Sequence, residues 1–216
     1  MDHTEIKEKI LTDDTFVSEE IEKILTYYQL KHTLRWTHDS SVFDEKESVA
    51  EHVYGMLLLC NYFAPLQENK LDSELMSDLI LWHDMAEALV DDMSTLTKTE
   101  EHKQSERDAE SQLVMSAPDH LQEKLSQMFS IYEARELPEA KFVKAIDKLE
   151  PLFQIFFISN KLEFEDNPEK HKATAEIMDN YQLNRLKYIE DYPEIVRFSK
   201  ELNKKIKKTK FIHPEA

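Results

Sequence analysis

The sequence predicts an all-α fold, and three observations support this prediction. The chain has one glycine among 216 residues, so it has few positions suited to tight turns. β-branched residues are sparse beside the strong helix formers Leu, Glu, Lys and Ala. Apolar residues recur at three- and four-residue spacing, most clearly between Phe142 and Phe156. We expect a single domain spanning residues 1–216, with a core at about 20–165 and a helical C-terminal extension at about 166–210.

The N-terminal half is predicted to contain three helices. The first spans about 18–28 and begins at a serine that is a favourable N-cap residue. Ser48 and Glu51 have the spacing of a capping box, which predicts a second helix at about 48–64. The third is expected to start near residue 73 and to continue to about residue 89.

The C-terminal half is predicted to be helical as well. A charged helix at about 99–117 is followed by a restart at Pro118 and a helix that runs to about residue 137. Pro138 is favourably placed as the first residue of the next helix. Pro168 and Pro193 are similarly expected to open the last two helices.

The charge of the chain excludes several classes of partner. Its formal net charge is −17, with 44 acidic and 27 basic residues, and such a surface repels nucleic-acid backbones and anionic membranes. A small anionic substrate stays compatible with this charge if a bound cation and an arginine reverse the potential locally. Cys60 is the single cysteine, and neither a membrane span nor a signal peptide is recognisable. We therefore expect a cytoplasmic protein.

The stretch 79–89 places polar residues inside an apolar helix. His83, Asp84 and Glu87 are costly to bury there unless a partner compensates them, and a divalent metal ion is one such partner. On one continuous helix His83 and Glu87 share a face, while Asp84 points about 100° away. A buried His-Asp pair that caps a neighbouring helix is the alternative.

Two further residues of metal-ligand type occupy positions where core residues are expected. His52 lies in the first turn of an apolar helix, and Asp147 lies beside the apolar stripe of the helix after Pro138. Pro151 has no N–H and crowds the carbonyl of Asp147, which predicts a kink there. A solvent-facing Asp147 is the alternative. Two imidazoles and two carboxylates from three helices would suit one divalent ion of Mn, Fe, Co, Ni or Zn, with open positions for catalysis.

Four sequence blocks follow one another along the chain: Leu34-Arg35-Trp36, Glu47 to His52, His83 to Asp92, and Lys141 to Glu150. In this order they resemble the HD superfamily of metal-dependent phosphohydrolases, and more narrowly its 5'-deoxynucleotidase branch. The resemblance covers about residues 20–165 and implies an HD-domain helical bundle. Two departures lie at the end of the third block and directly after it: Asp91 stands where the branch usually has glycine, and residues 93–96 lack its usual proline.

The resemblance implies roles for individual residues. Glu87, Asp84 and Arg35 correspond to catalytic positions, and Arg35 would clamp the phosphate. Arg35, Trp36 and Asp92 correspond to substrate-binding positions, where Trp36 would wall the sugar pocket. The implied ligands of one divalent cation are His52, His83, Asp84 and Asp147.

The implied activity is hydrolysis of deoxynucleoside or nucleoside 5'-monophosphates to nucleoside and phosphate. Three alternatives stay open: an HD enzyme for another small phosphorylated substrate, such as a modified nucleotide or a guanosine polyphosphate; a non-catalytic nucleotide-binding HD protein; and a purely structural helical module. The run 153–158 carries more apolar side chains than one helix face can bury, which predicts a homodimer.

Overall fold

The structure is a computed structural model that describes residues 1–35, 47–90, 99–159 and 184–209. Within these ranges the chain forms helices, and its only β-type pairing is an isolated antiparallel bridge between Leu34 and Ser48. The all-α prediction is confirmed. The helices are α1 (His3–Thr12), α2 (Asp14–Tyr28), α3 (Val49–Phe63), α4 (Ser73–Trp82), α5 (Glu100–Ser116), α6 (Asp119–Ala134), α7 (Pro138–Ser159) and α8 (Pro193–Lys207).

The helices of the N-terminal half begin at side-chain caps. The predicted capping box of α3 is confirmed, because Ser48 accepts from the backbone of Glu51 and the Glu51 side chain accepts from the backbone of Ser48. Helix α2 begins four residues earlier than predicted, with Asp13 as its N-cap. Helix α1 was not predicted, although Asp2 and Glu5 form the same kind of capping box.

The prediction of one continuous helix through residue 89 is wrong. Helix α4 ends at Trp82, Asp84 adopts φ −107° and ψ 16°, and a 3₁₀-helix follows at Met85–Ala88. His83 and Glu87 therefore do not share the face of one α-helix. On a continuous helix the side chains of His83 and Asp84 would diverge by about 100°. Because α4 ends at Trp82, the two side chains can point to the same place: Oδ2 of Asp84 lies 3.0 Å from Nε2 of His83.

Helices α5 and α6 follow the predicted positions closely. Thr99 caps α5, and α6 begins directly after Pro118. Helix α6 ends at Ala134, earlier than predicted, because Arg135 adopts the left-handed conformation with φ 52°. Arg135 is the only non-glycine residue with positive φ in the described ranges.

Helices α7 and α8 begin at the predicted prolines, Pro138 and Pro193. Helix α7 continues through Pro151, so the proline does not end it. The start of the helix predicted to open at Pro168 lies outside the described residues, and the described residues 184–189, before Pro193, are helical.

Helix α7 occupies the centre of the described fold. It packs against α3, α4, α6 and α8, and its side chains Phe142, Ile146 and Leu149 are completely buried. Asp147 is therefore held between the helix that carries His52 and the end of the helix that precedes His83. None of the helices in the described ranges combines the length and hydropathy needed to cross a membrane.

Candidate metal centre

The four residues predicted as metal ligands lie close together in the structure. Nε2 of His52 lies 3.4 Å from Oδ1 of Asp147 and 4.0 Å from Oδ2 of Asp84. Ligand atoms of His52, His83 and Asp147 all lie within 4.8 Å of one another, and the three residues are buried. The arrangement brings residues of α3, the α4 terminus and α7 to one point.

The hydrogen bonds of the two imidazoles turn both Nε2 atoms toward this point. Nδ1 of His83 lies 2.9 Å from the carbonyl oxygen of Ile80, which can only accept, so Nδ1 donates. Nδ1 of His52 lies 2.6 Å from Oε2 of Glu150. Within the described ranges neither buried Nε2 atom has a hydrogen-bond partner. Histidines that bind metals are held in this way, so the donor set fits a divalent ion.

The two carboxylate oxygens of Asp147 have different surroundings. Oδ1 faces His52, whereas Oδ2 accepts from the hydroxyl of Tyr132 at 3.0 Å. The same Oδ2 atom lies 2.9 Å from Nζ of Lys144 and 3.1 Å from Nζ of Lys148. Burial raises the pKa of Asp147, but the two lysines outweigh it and hold this pKa well below its usual range. Asp147 is thus ionised, with one oxygen turned toward the candidate metal position.

The electrostatics of His52 and Asp84 also favour a cation. Burial and Arg35 lower the pKa of His52, but the nearby carboxylates of Asp147 and Glu150 raise it overall to about 9. Burial raises the pKa of Asp84, while the adjacent His83 lowers it below the usual range. A metal ion that binds here therefore meets ionised carboxylates and takes the place of the proton on His52.

Arg35 belongs to a buried cluster behind His52. Its NH1 atom donates to Oε1 of Glu47 at 2.6 Å and lies 3.7 Å from Oε2 of Glu150. Burial and the charge of Glu150 raise the pKa of Glu47 to about 7, against the lowering effect of Arg35. Glu47, His52 and Glu150 also lie close enough to hold a metal ion, but the Arg35 guanidinium already supplies the positive charge at this position.

Gly55 makes the contact between His52 and Glu150 sterically feasible. It lies on α3 opposite Glu150 of α7, and a Cβ atom at this position would lie 2.6 Å from Oε1 and 3.1 Å from Cγ of Glu150. A real Cβ atom could not occupy this space unless the carboxylate moved. The single glycine of the chain therefore leaves room for the side chain that orients His52.

We expect Gly55→Ala to weaken metal binding about tenfold, the range seen when a partner of a ligating histidine is lost. Alanine should otherwise stabilise a helix by about 0.5–1 kcal/mol relative to glycine, so a lower thermal midpoint would show the steric conflict directly. The measurement is metal affinity by calorimetry together with thermal unfolding. In a Glu150→Ala background the Gly55→Ala change should cause no further loss of affinity, and an equal loss in both backgrounds would contradict this explanation.

Of the other residues predicted to act in the site, the structure describes Glu87 but not Trp36 or Asp92. Glu87 lies in the 3₁₀-helix that follows the ligands, is half-buried, and its backbone N–H donates to the carbonyl of Asp84 at 3.1 Å. Trp36 and Asp92 lie outside the described residues.

Sequence reasoning did not identify the residues that hold the ligands in place. Tyr132 gave no signal, because a tyrosine in an amphipathic helix is an ordinary core residue. Lys144 and Lys148 stand three residues before and one residue after Asp147, a charge pattern that could have been noticed. Gly55 was the strongest missed signal, since a glycine inside an apolar helix often marks a close approach of another chain segment.

The sequence match to known proteins agrees with this geometry. The HD domain profile matches residues 27–189, which is more than half of the chain. The chain belongs to the HD domain family. It is 31% identical over 159 residues to 5'-deoxynucleotidase HDDC2 of Homo sapiens, covering 72% of this chain and 71% of that protein. It is 32% identical over 127 residues to 5'-deoxynucleotidase hdd1 of Schizosaccharomyces pombe, covering 55% of this chain and 61% of that protein.

Solved structures share the fold. A protein described as a predicted metal-dependent phosphohydrolase from Magnetospirillum magnetotacticum MS-1 matches with a TM-score of 0.68 and 21% identity, covering 91% of this chain and 95% of that chain. An HD-domain phosphohydrolase from Listeria innocua matches with a TM-score of 0.56 and 20% identity, covering 88% of this chain and 92% of that chain. At these identities the likeness establishes the HD-domain fold alone.

Proposed function

We propose that the protein is a metal-dependent phosphomonoesterase that hydrolyses deoxynucleoside or nucleoside 5'-monophosphates to nucleoside and phosphate. The observation that carries the proposal is the pair of buried Nε2 atoms of His52 and His83, which face two carboxylates and lack hydrogen-bond partners in the described ranges. The names of the relatives in Homo sapiens and Schizosaccharomyces pombe support the nucleotide substrate.

The ligand residues would hold one ion of Mn, Fe, Co, Ni or Zn. When bound, such an ion polarises a phosphate oxygen and lowers the pKa of a bound water to near neutrality. His52, His83 and Asp147 are anchored by partners on their other polar atoms, so they need little rearrangement to bind it. Asp84 is the ligand with the greatest solvent access, so in this proposal the substrate approaches the metal beside Asp84.

Two further side chains act on the substrate in this proposal. Glu87, which follows Asp84 by three residues, positions the attacking water or transfers a proton to the leaving 5'-oxygen. Arg35 binds the phosphate and stabilises charge on its oxygens, with its guanidinium restrained by Glu47. Trp36 and Asp92 complete the proposed nucleotide site, with Trp36 against the sugar.

The proposal predicts phosphate release that depends on added metal. Protein treated with a chelator should release no phosphate from nucleoside 5'-monophosphates, and readdition of manganese or cobalt should restore the activity. Parallel assays with deoxyribose and ribose substrates, 3'-monophosphates and guanosine polyphosphates would define the preference. Absence of phosphate release from every 5'-monophosphate with every metal would contradict the proposal.

We also propose that the protein forms a homodimer through an apolar surface on α3, α7 and α8. Tyr54, Leu58 and Tyr62 follow one another at four-residue spacing on α3, and each is more than half exposed. The Tyr62 ring lies 5.8 Å from that of Phe198, which adjoins an apolar cavity of about 700 Å³ between α7 and α8. In the run 153–158, Ile155 and Ile158 are buried, whereas Phe157 is more than half exposed.

Leu58→Glu is expected to convert the dimer to a monomer, because a carboxylate is costly to desolvate in an apolar interface. Light scattering coupled to gel filtration would measure the mass. Leu11→Glu is the matched control, since Leu11 is a more exposed leucine on α1 and its change should leave the mass unaltered. A wild-type protein that is monomeric throughout the micromolar range would exclude the dimer.

A further inference from the structure

A second cavity, between α5, α6 and α7, adjoins the candidate metal centre. Its volume is about 790 Å³, which is in the range of small-molecule sites. Tyr132, Lys144 and Lys148 line it, and their polar atoms all contact Oδ2 of Asp147. Asp147 therefore joins the metal centre to this cavity, with Oδ1 turned to His52 and Oδ2 turned to residues that line the cavity.

The charge of the cavity is opposite to that of the chain. Five basic residues and three acidic residues line it, and the carboxylate of Asp147 contacts two of the basic ones. A slight positive excess remains, in a chain of formal net charge −17. Two of the basic residues, Lys144 and Lys148, have most of their side chains buried. A positive, partly buried cavity on an acidic protein favours an anionic ligand.

Aromatic rings adjoin the cations in this cavity. Tyr188 and Phe129 line the wall, and the guanidinium carbon of Arg135 lies 5.7 Å from the centroid of the Tyr188 ring. Nζ of Lys148 lies 5.9 Å from the same centroid. A nucleotide requires this combination, because its phosphate pairs with cations and its base packs on aromatic rings.

Arg135 carries a side chain at a backbone position where glycine is usual. Arg135 ends α6 with φ 52° and ψ 34°, a conformation that glycine adopts at no steric cost and that other residues rarely adopt. An arginine here gives up backbone stability that glycine would provide. What it supplies is a guanidinium group in the cavity wall.

We propose that this cavity, which adjoins the metal centre, binds the phosphate group of a nucleotide-sized small molecule. The phosphate contacts Lys144, Lys148 and Arg135, and the base packs against Tyr188. Because both lysines also contact Asp147, occupancy of the cavity changes the surroundings of a metal ligand and couples the two sites. The choice of a nucleotide rests on the proposed function, whereas the anion site does not.

The test is calorimetric titration of the metal-free, full-length protein with dAMP and with orthophosphate. Wild-type protein should bind dAMP more tightly than orthophosphate. Arg135→Gly should weaken dAMP binding at least about tenfold, the expected loss for one charge-assisted hydrogen bond. Glycine accepts the backbone conformation of Arg135, so loss of binding would not reflect misfolding, which an unchanged or raised thermal midpoint would verify. Lys200→Gln, which removes one exposed positive charge from α8, should leave the affinity unchanged.

Two results would overturn the proposal: no dAMP binding to metal-free protein at millimolar concentration, or equal dAMP affinity of wild-type and Arg135→Gly protein. Orthophosphate that binds as tightly as dAMP would overturn the role of the aromatic wall and assign the cavity to free phosphate. The proposed hydrolysis is judged separately by phosphate release. A protein that releases no phosphate, yet loses dAMP affinity on Arg135→Gly, would retain the cavity site and refute the activity.

Discussion

His83→Ala protein is expected to lose its bound divalent ion and to release phosphate about a thousandfold more slowly than wild type. The imidazole supplies one of two Nε2 atoms that face the candidate metal position, and its other nitrogen bonds only to the Ile80 carbonyl among the described residues. A metal ion contributes several kcal/mol of transition-state stabilisation in hydrolytic sites, which corresponds to about three orders of magnitude in rate. Metal content by elemental analysis and initial rates of phosphate release are the measurements.

His120→Ala is the control for this experiment. His120 is exposed at the start of α6, so its removal should leave metal content and rate as in wild type. Circular dichroism of the His83→Ala protein should show intact helices, because α4 already ends before this residue. Full metal occupancy in folded His83→Ala protein would refute the ligand assignment.

Glu87→Gln is expected to separate metal binding from catalysis. The glutamine amide is similar in size but cannot accept a proton, and the loss of a general acid or base lowers rates by about 10²- to 10⁴-fold. Metal content should stay at the wild-type value, because Glu87 is not one of the four proposed ligands, which are His52, His83, Asp84 and Asp147. The rate of phosphate release at saturating metal and substrate is the decisive quantity.

Glu74→Gln is the control variant for Glu87→Gln, because it makes the same substitution at an exposed position. Glu74 is an exposed residue in the first turn of α4, and its neutralisation should leave the rate within about twofold, since surface charges at helix ends contribute little. If Glu87→Gln protein kept the wild-type rate, Glu87 would have no part in the chemistry. If it lost the metal instead, Glu87 would have to be counted among the ligands.

Helix starts that depend on caps and prolines could be predicted from the sequence. Helix ends that depend on tertiary contacts could not. The capping box of Ser48 and Glu51 and the prolines at positions 138 and 193 act within one or two turns, so their effect can be seen in the sequence. The end of α4 at Trp82 could not be seen, because the apolar pattern through residue 89 is compatible with a continuous helix. The end of α6 at the left-handed Arg135 could not be predicted either, because glycine, and not arginine, is the usual residue at such a position.

The sequence by itself determined the all-α fold and the identity of the residues offered as metal ligands. Helix propensity, capping and apolar spacing are local properties, and a histidine or aspartate inside an apolar stripe stands out without coordinates. Only the tertiary structure decided which atoms of these residues are available. The break before Asp84, the approach of α3 to α7 at Gly55, and the lysines on Oδ2 of Asp147 depend on contacts between distant segments. Orientation at a metal site follows from these packed neighbours, whose positions the order of residues along the chain does not specify.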